Sequence, residues 1–579
     1  PWYIHLGCGL LMPKEANGTG TLATITFQVI NRGRSTFHLL DSALFDTSLN
    51  PINHTTKDGS FRSEIHVPYD YLTIQEAVNA ANPGETIIVH NGTYYESVFI
   101  DKTLKLLGEN RDTTIIDGGG SEDVVRIAAD WVDIIGFTVR GGHYGIHGEY
   151  NLSNNTISNN IISNNDYAGI YFYYNPSGNT ITNNIISING KGIYMVEHRG
   201  SPELVFIGRN TIYHNTISNN YGHGIDMGDG EHYRGENIIS YNTISNNSGS
   251  GIYYGYWIQV NTVSDNIISN NYEFGIYMNY NPSIETITNN IISNNGQGGI
   301  WSQYAIDNTI LHNTISNNGG HGIYNTYYGS VGFVYYNIIS NNSGNGIHED
   351  YHTGGHEICY NTISNNSAGI YVSDSWASSE PITGNTISNN QYGIIVYSGL
   401  PAGSQNVYHN NFINNVVQAQ DYGNGNQWDY GYPVGGNCWS DYTGVDLYSG
   451  PYQNLTGSDG IGDTPYLIET ASTDRYPFTG PNNIFDVGVW NGKPCGVHVI
   501  SNSTVSNFQL NATEKIISFN VTGETGFGFC RVIIPNVIVQ DVWHGSYVVL
   551  FNGEPWPFKN WSDATNTYIY ITYAHSEHE

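Results

Sequence analysis

The chain has 579 residues, too many for one compact core, so several domains or one elongated repeat body are expected. Its 50 acidic and 19 basic side chains give a formal charge of −31, which excludes nucleic acid and anionic membrane surfaces as its main partners. Only 12% of residues are charged, while Asn, Gly, Ser and Tyr are abundant, a composition of strands and tight turns. No apolar run approaches the ~18 residues of a membrane span, and neither an initiator Met nor a signal peptide is present, so both ends read as processed or truncated.

Residues 1–64 hold alternating runs such as TLATITFQVI and STFHLLDSALFD. They resemble the second half of a cohesin-like β-sandwich whose first half is absent or supplied by another molecule. A capping box at Thr73 and Glu76 then opens a short helix near 71–82, which Asn82-Pro83-Gly84 stops. A helix followed by TIIVHNGTY resembles the N-terminal cap of right-handed parallel β-helix proteins, where it covers apolar side chains and unpaired backbone at the open end.

From there to 423 the words NTISNN and NIISNN recur. Asn266, Asn290, Asn313, Asn337, Asn361, Asn385 and Asn410 are about 22 to 25 residues apart, and Gly-Ile repeats at Gly251, Gly275, Gly299, Gly322, Gly346, Gly369 and Gly393. Such a period marks stacked units of three short strands, and the scarcity of Leu argues against leucine-rich repeats. The expected fold is all-β: a single-stranded right-handed parallel β-helix (solenoid) over 65–423, flanked by small β-sandwich-like domains. About fourteen coils at ~4.8 Å make a rod of ~65 Å. Ile157, Ile161 and Ile170 are expected to point inward, with Asn at the corners bonding to the Asn one coil away.

Residues 424–480 contain GGN-x-WSDY at Gly435 to Tyr442, GSDGIGDTPY at Gly457 to Tyr466 and DRYP at Asp474 to Pro477. They are similar, nearly word for word, to the C-terminal cap of the NosD-like β-helix family. Residues 481–579 read as a separate β-sandwich-like domain resembling accessory domains of archaeal secreted proteins. The family resemblance brings an association with copper handling. Copper sites want clusters of His, Cys or Met, and 4 Met with scattered His do not supply one, so copper is not expected.

The residue after each Gly-Ile points outward and forms a column: Tyr171, Tyr194, Asp226, Tyr253, Tyr277, Trp301, Tyr324, His348 and Tyr371. Its aromatic members (Tyr171, Tyr194, Tyr253, Tyr277, Trp301, Tyr324, Tyr371) could face sugar rings of an extended glycan, or form a ladder that only stabilises the sheet. Two insertions, VEHRGSPELVF and DMGDGEHYRGEN, bring His198, Arg199, His223, Asp226, Asp229, Glu231, His232 and Arg234 into neighbouring coils, and carboxylates with His or Arg are the residue types that polysaccharide lyases and hydrolases use. Asp459 and Asp463 are the candidates for calcium, although Asp-Gly is first of all turn chemistry; no cofactor is required.

Glycosylation candidates are Asn17, Asn53, Asn91, Asn246, Asn341, Asn365, Asn454, Asn502, Asn511, Asn520 and Asn560. Cys495 with Cys530 is a candidate disulfide. Two functions compete on these grounds. The first is an extracellular or cell-surface structural rod, glycosylated, adhesive and self-assembling into a filament or sheath through its terminal β domains. The alternative is a carbohydrate-binding or polysaccharide-degrading protein, a lyase or glycoside hydrolase, working through the column and the acidic insertions. The regular rungs favour the first, and with it a non-enzymatic role whose partner is the chain itself or other surface proteins.

Overall fold

The computed structural model describes residues 64–575 apart from positions 121, 175, 197–207, 229–235, 256–258, 280–282, 305, 327–329, 351–356, 374–380, 398–404, 424, 470–471 and 492. It also describes two antiparallel pairs before them, Arg34–Phe37 with Gly59–Arg62 and Leu44–Phe45 with Pro51–Ile52. The rest of residues 1–63, where a cohesin-like half-sandwich is expected from the sequence, lies outside the described residues.

The body is a right-handed parallel β-helix whose three sheets hold 15, 15 and 14 strands, here sheets 1, 2 and 3 in the order that each rung visits them. One rung runs through Thr156–Ser158, Ile161–Ser163 and Ala168–Tyr173. The register stacks like on like: Ile157 on Ile181, Ile162 on Ile186, Ile170 on Ile193. Each of these side chains is essentially unexposed, and each such burial contributes about 1.5–3 kcal/mol. Ile161, expected inside, lies on the outer face instead, and Ile162 fills the core. In Asn-Thr-Ile-Ser the hydroxyls announce the outer face, but in Asn-Ile-Ile-Ser both middle residues are apolar and only the stacking partner decides.

Each Asn-Asn pair divides two tasks. The first residue takes a left-handed backbone, as at Asn317 (φ 57°), which a short polar side chain tolerates. The second is buried and joins a ladder: Asn318 donates from Nδ2 to Asn342 Oδ1 at 2.9 Å and to the Ile292 carbonyl at 3.2 Å, and accepts from Asn295 N and Nδ2 at 3.0 Å each. The corner backbone is thereby satisfied without water. Gly275 has a different reason to recur. A Cβ there would lie 2.4 Å from Ile292 Cγ2 and 2.8 Å from the Gly299 carbonyl, so the corner closes only around a hydrogen.

Both ends are sealed. Helix α1 (Ile74–Ala80) has Thr73 as its N-cap, accepting from Glu76 N, and lays Ile74, Ala77 and Val78 over the first rung. Glu96 accepts from the amides of Ile74 and Gln75 at 2.9 Å each, placing a carboxylate at the positive helix end. At the other end Asn437 closes an Asn ladder, Trp439 stacks on Phe412 (4.5 Å), and Tyr466 stacks on Trp439 (4.2 Å). Asp474, fully buried, accepts from Asn437 N, Trp439 Nε1 and Tyr476 N. Gly436 leaves room for it, since a Cβ would sit 1.9 Å from Asp474 Oδ1.

Residues 482–575 form a five-stranded antiparallel sheet with helix α2 (Asn536–Trp543) and a hairpin of Thr504–Asn511 with Ile516–Thr522. This domain docks on the outer corner of the rod: Tyr336 donates to the Cys495 carbonyl at 3.0 Å, and buried Arg531 donates to the Asp459 carbonyl at 2.7 Å and to the Pro433 carbonyl. Cys495 and Cys530 are not joined. Cys530 pairs with Ser501, at the far end of the strand that carries Cys495, about 20 Å away where a disulfide needs Cα atoms within about 7 Å.

Candidate functional site

The outward column lies on sheet 3. In register it runs His147, Tyr171, Tyr194, Asp226, Tyr253, Tyr277, Trp301, Tyr324, His348, Tyr371. Its rings pack in tilted contacts along the rod: Tyr277 against Trp301 at 5.2 Å, Trp301 against Tyr324 at 5.4 Å, Tyr324 against His348 at 4.8 Å and His348 against Tyr371 at 4.5 Å. Each ring therefore lies against its neighbour, and these residues are half-buried, or buried in the case of Tyr171, rather than exposed.

A second column interleaves with the first. The residue before Gly-Ile in one rung packs against the residue after Gly-Ile in the next. Tyr144 stacks on Tyr171 (4.4 Å), His223 on Tyr253 (4.6 Å), Phe274 against Trp301 (4.7 Å) and His321 against His348 (4.4 Å). The same relation creates a hydrogen-bonded pair, Asp123 Oδ2 with His147 Nδ1 at 2.5 Å, and an ion pair, Lys191 with Asp226 at 2.7 Å. The sequence reading overlooked this column, whose signal is the residue that precedes each glycine.

The pair at Asp226 has the most chemistry around it. Asp226 is 3% exposed and sits between Tyr194 and Tyr253 in the register. The Lys191 ammonium also lies 3.6 Å over the Tyr194 ring, so one cation serves a carboxylate and an aromatic face. One side chain away, His223 accepts from Ser250 N at 2.9 Å through Nδ1, which assigns the proton of the neutral ring to Nε2. Burial pushes His223 down to about 4; nearby Glu273 opposes that shift and Lys191 adds to it. At neutral pH this group is an uncharged N–H donor. Asp226 is engaged by a cation, so the arrangement binds an anion or an oxygen more readily than it removes a proton.

His198, Asp229, Glu231 and His232 lie outside the described residues. Asp463 accepts from the amides of Leu447 and Tyr448, and Asp459 from Ile461 N, so both carboxylates hold their own loops. Among the described residues no three His, Cys, Asp or Glu side chains converge on a metal position. Of the glycosylation candidates, Asn246, Asn341 and Asn365 are exposed at left-handed corners. Asn454 and Asn520 are also exposed. Asn91, Asn502, Asn511 and Asn560 already use their amides in hydrogen bonds, and Asn17 and Asn53 lie outside the described residues.

The family profile described as the right-handed β-helix region matches residues 123–286 and 259–417, together just over half of the chain. No curated protein matches it. Among solved structures, the A-module of the mannuronan C-5 epimerase AlgE6 of Azotobacter vinelandii aligns at 16% identity over 64% of this chain and 95% of that one, with a TM-score of 0.42. The alginate lyase of a Paenibacillus strain aligns at 16% identity over 49% of this chain and 94% of that one (TM-score 0.31). The DFA-IIIase of Arthrobacter chlorophenolicus A6 aligns at 13% over 60% and 94% (TM-score 0.33).

Proposed function

The chain belongs to the right-handed β-helix family, and we propose that sheet 3 of its rod is a track for an extended polysaccharide, which it binds and cleaves. One observation carries the reading: within a run of stacked rings, the register inserts a buried carboxylate held by a partly exposed lysine, beside an imidazole whose free N–H is fixed by its tautomer. A sheet face with a purely structural ladder needs none of these three groups, and burying the pair costs desolvation. Lys191 and His223 Nε2–H together offer a charge and a donor to a sugar carboxylate or hydroxyl, while the ring edges on either side supply apolar and polar contacts.

Because the chain is strongly acidic overall, long-range repulsion opposes an acidic polymer while the local cation attracts it. Retention of a polyuronate is thus expected to rise as salt screens the repulsion, and to fall only at higher salt. The test is retention of polyuronate and of neutral polysaccharides by the whole chain and by Lys191→Ala and Asp226→Asn. Loss of retention in both variants is the expected result. A wild-type chain that retains no polymer in either class would end the reading.

A second reading rests on the ring contacts themselves, since a ladder whose rings pack on one another along the rod stabilises the sheet without a ligand. On that view the rod is a surface spacer that assembles through its terminal β domains, and electron microscopy of the purified chain would show ordered filaments rather than separate rods.

A further inference from the structure

The site at Asp226 has no evident proton acceptor, and the face supplies one elsewhere. Asp123 Oδ2 lies 2.5 Å from His147 Nδ1, with side-chain exposures of 19% and 16%. The carboxylate holds the proton on Nδ1, which leaves the Nε2 lone pair as the basic position. No other hydrogen bond engages the His147 side chain among the described residues. The stacked rings of Tyr144 (5.0 Å) and Tyr171 (5.1 Å) lie together against one side of the imidazole. One rung toward the N-terminus, directly opposite His147 in the register, is Arg126, half-exposed at 51% and paired with Glu149. Three rungs in the other direction lies Asp226, about 14 Å along the rod.

We propose that His147, oriented by Asp123 and flanked by Arg126, is the catalytic base of a β-elimination on a uronic-acid-containing polysaccharide, and that Lys191 anchors the same chain two rungs away. This rests on the polysaccharide reading above. Arg126 turns from Glu149 to the sugar carboxylate and withdraws its charge. Nε2 takes the proton from the carbon bearing that carboxylate. The C–H electron pair forms the C=C bond to the adjacent ring carbon, and the glycosidic C–O bond on that carbon breaks. The leaving oxygen takes the proton back from the imidazolium, whose transient charge Asp123 offsets. One unsaturated uronate end and one new hydroxyl end result, with no oxidant and no water consumed.

The experiment follows two signals on the same polyuronate: retention of the polymer, and the ultraviolet absorbance of the new C=C ends. His147→Gln should retain the polymer as wild type does while losing at least about 100-fold in the rate of C=C formation. Asp123→Asn should lose a smaller factor with retention intact, and it reports on the same dyad if the glutamine variant fails to fold. Lys191→Ala should do the reverse, weakening retention and raising KM more than it lowers kcat. Unchanged C=C formation in both dyad variants overturns the inference. So does a wild-type chain that retains polyuronate yet forms no C=C ends, and that outcome leaves the binding reading standing. A chain that does not retain the polymer at all removes the reading on which the inference rests.

Discussion

At the scale of the residue, the repeated Asn-Asn word is two residues with unlike physics. Asn317 holds a left-handed corner and its side chain faces outward; Asn318 is buried and makes or receives five bonds of a ladder. Asn317→Gly is accordingly expected to be nearly neutral and Asn317→Ala to cost about 1 kcal/mol, the strain of Cβ in that backbone region. Asn318→Ala strands buried donors and acceptors on three consecutive rungs, and about 3 kcal/mol or more is expected. Urea midpoints of the three variants measure the contrast, and equal losses at the two positions would refute it. The composition announced that Asn belongs at the corners, but not which Asn of each pair would be inside, because the two are chemically identical and only the neighbouring rung distinguishes them.

At the scale of the element, the strand of sheet 3 is set by three consecutive demands: a side chain that meets the next rung, a glycine, and an inward isoleucine. The glycine answers the close approach of the corner to the isoleucine of sheet 2. Gly275→Ala should therefore cost about 1–3 kcal/mol by overpacking, even though its backbone angle suits any residue, and hydrogen exchange should show the loosening confined to the rungs beside residue 275. Protection unchanged there would mean that the corner can widen at little cost. The interleaving of the two outward columns explains why aromatic, cationic and carboxylate residues occur where they do. Rings meet rings or small residues, as Phe274 meets Trp301 while Ala168 and Gly298 lie one rung before Tyr194 and Tyr324, whereas Asp123 holds His147 by a hydrogen bond and Lys191 meets the opposite charge of Asp226.

At the scale of the whole molecule, the docked C-terminal domain shuts two histidines between itself and the rod. His409 and His498 lie 5.4 Å apart, both buried. Burial pushes His409 down to about 4 and His498 well below its usual value. A histidine whose folded pKa is depressed adds stability above its unfolded pKa of about 6.5, and that stability is lost as pH falls below it. Burial acts in the other direction on Asp446 and Asp474, pushed up to about 7, which hold protons more tightly when folded and so add stability as pH falls from there. With His223 and His321 also pushed down to about 4, the histidines outnumber the aspartates. The urea midpoint should thus decline between about pH 6.5 and about pH 4, and His498→Gln should make the decline shallower. A midpoint that rises steadily into acid would show the buried carboxylates dominant.

The sequence alone determined the coil, its period, the sealed ends and the outward column, because each depends on a local pattern repeated at a fixed interval: a turn residue, an inward apolar residue, an outward one. It could not determine which residues from different rungs would touch. Lys191 and Asp226 are separated by an insertion, and Asp123 meets His147 through a rung that lacks the Gly-Ile marker, so neither contact has a sequence spacing of its own. Parallel stacking decided both, since it adds residues from successive turns to one face whatever the length of chain between them. That is also why the acidic insertions announced His223 and Asp226 in the sequence, whereas only stacking set Lys191, the residue before its glycine, against Asp226.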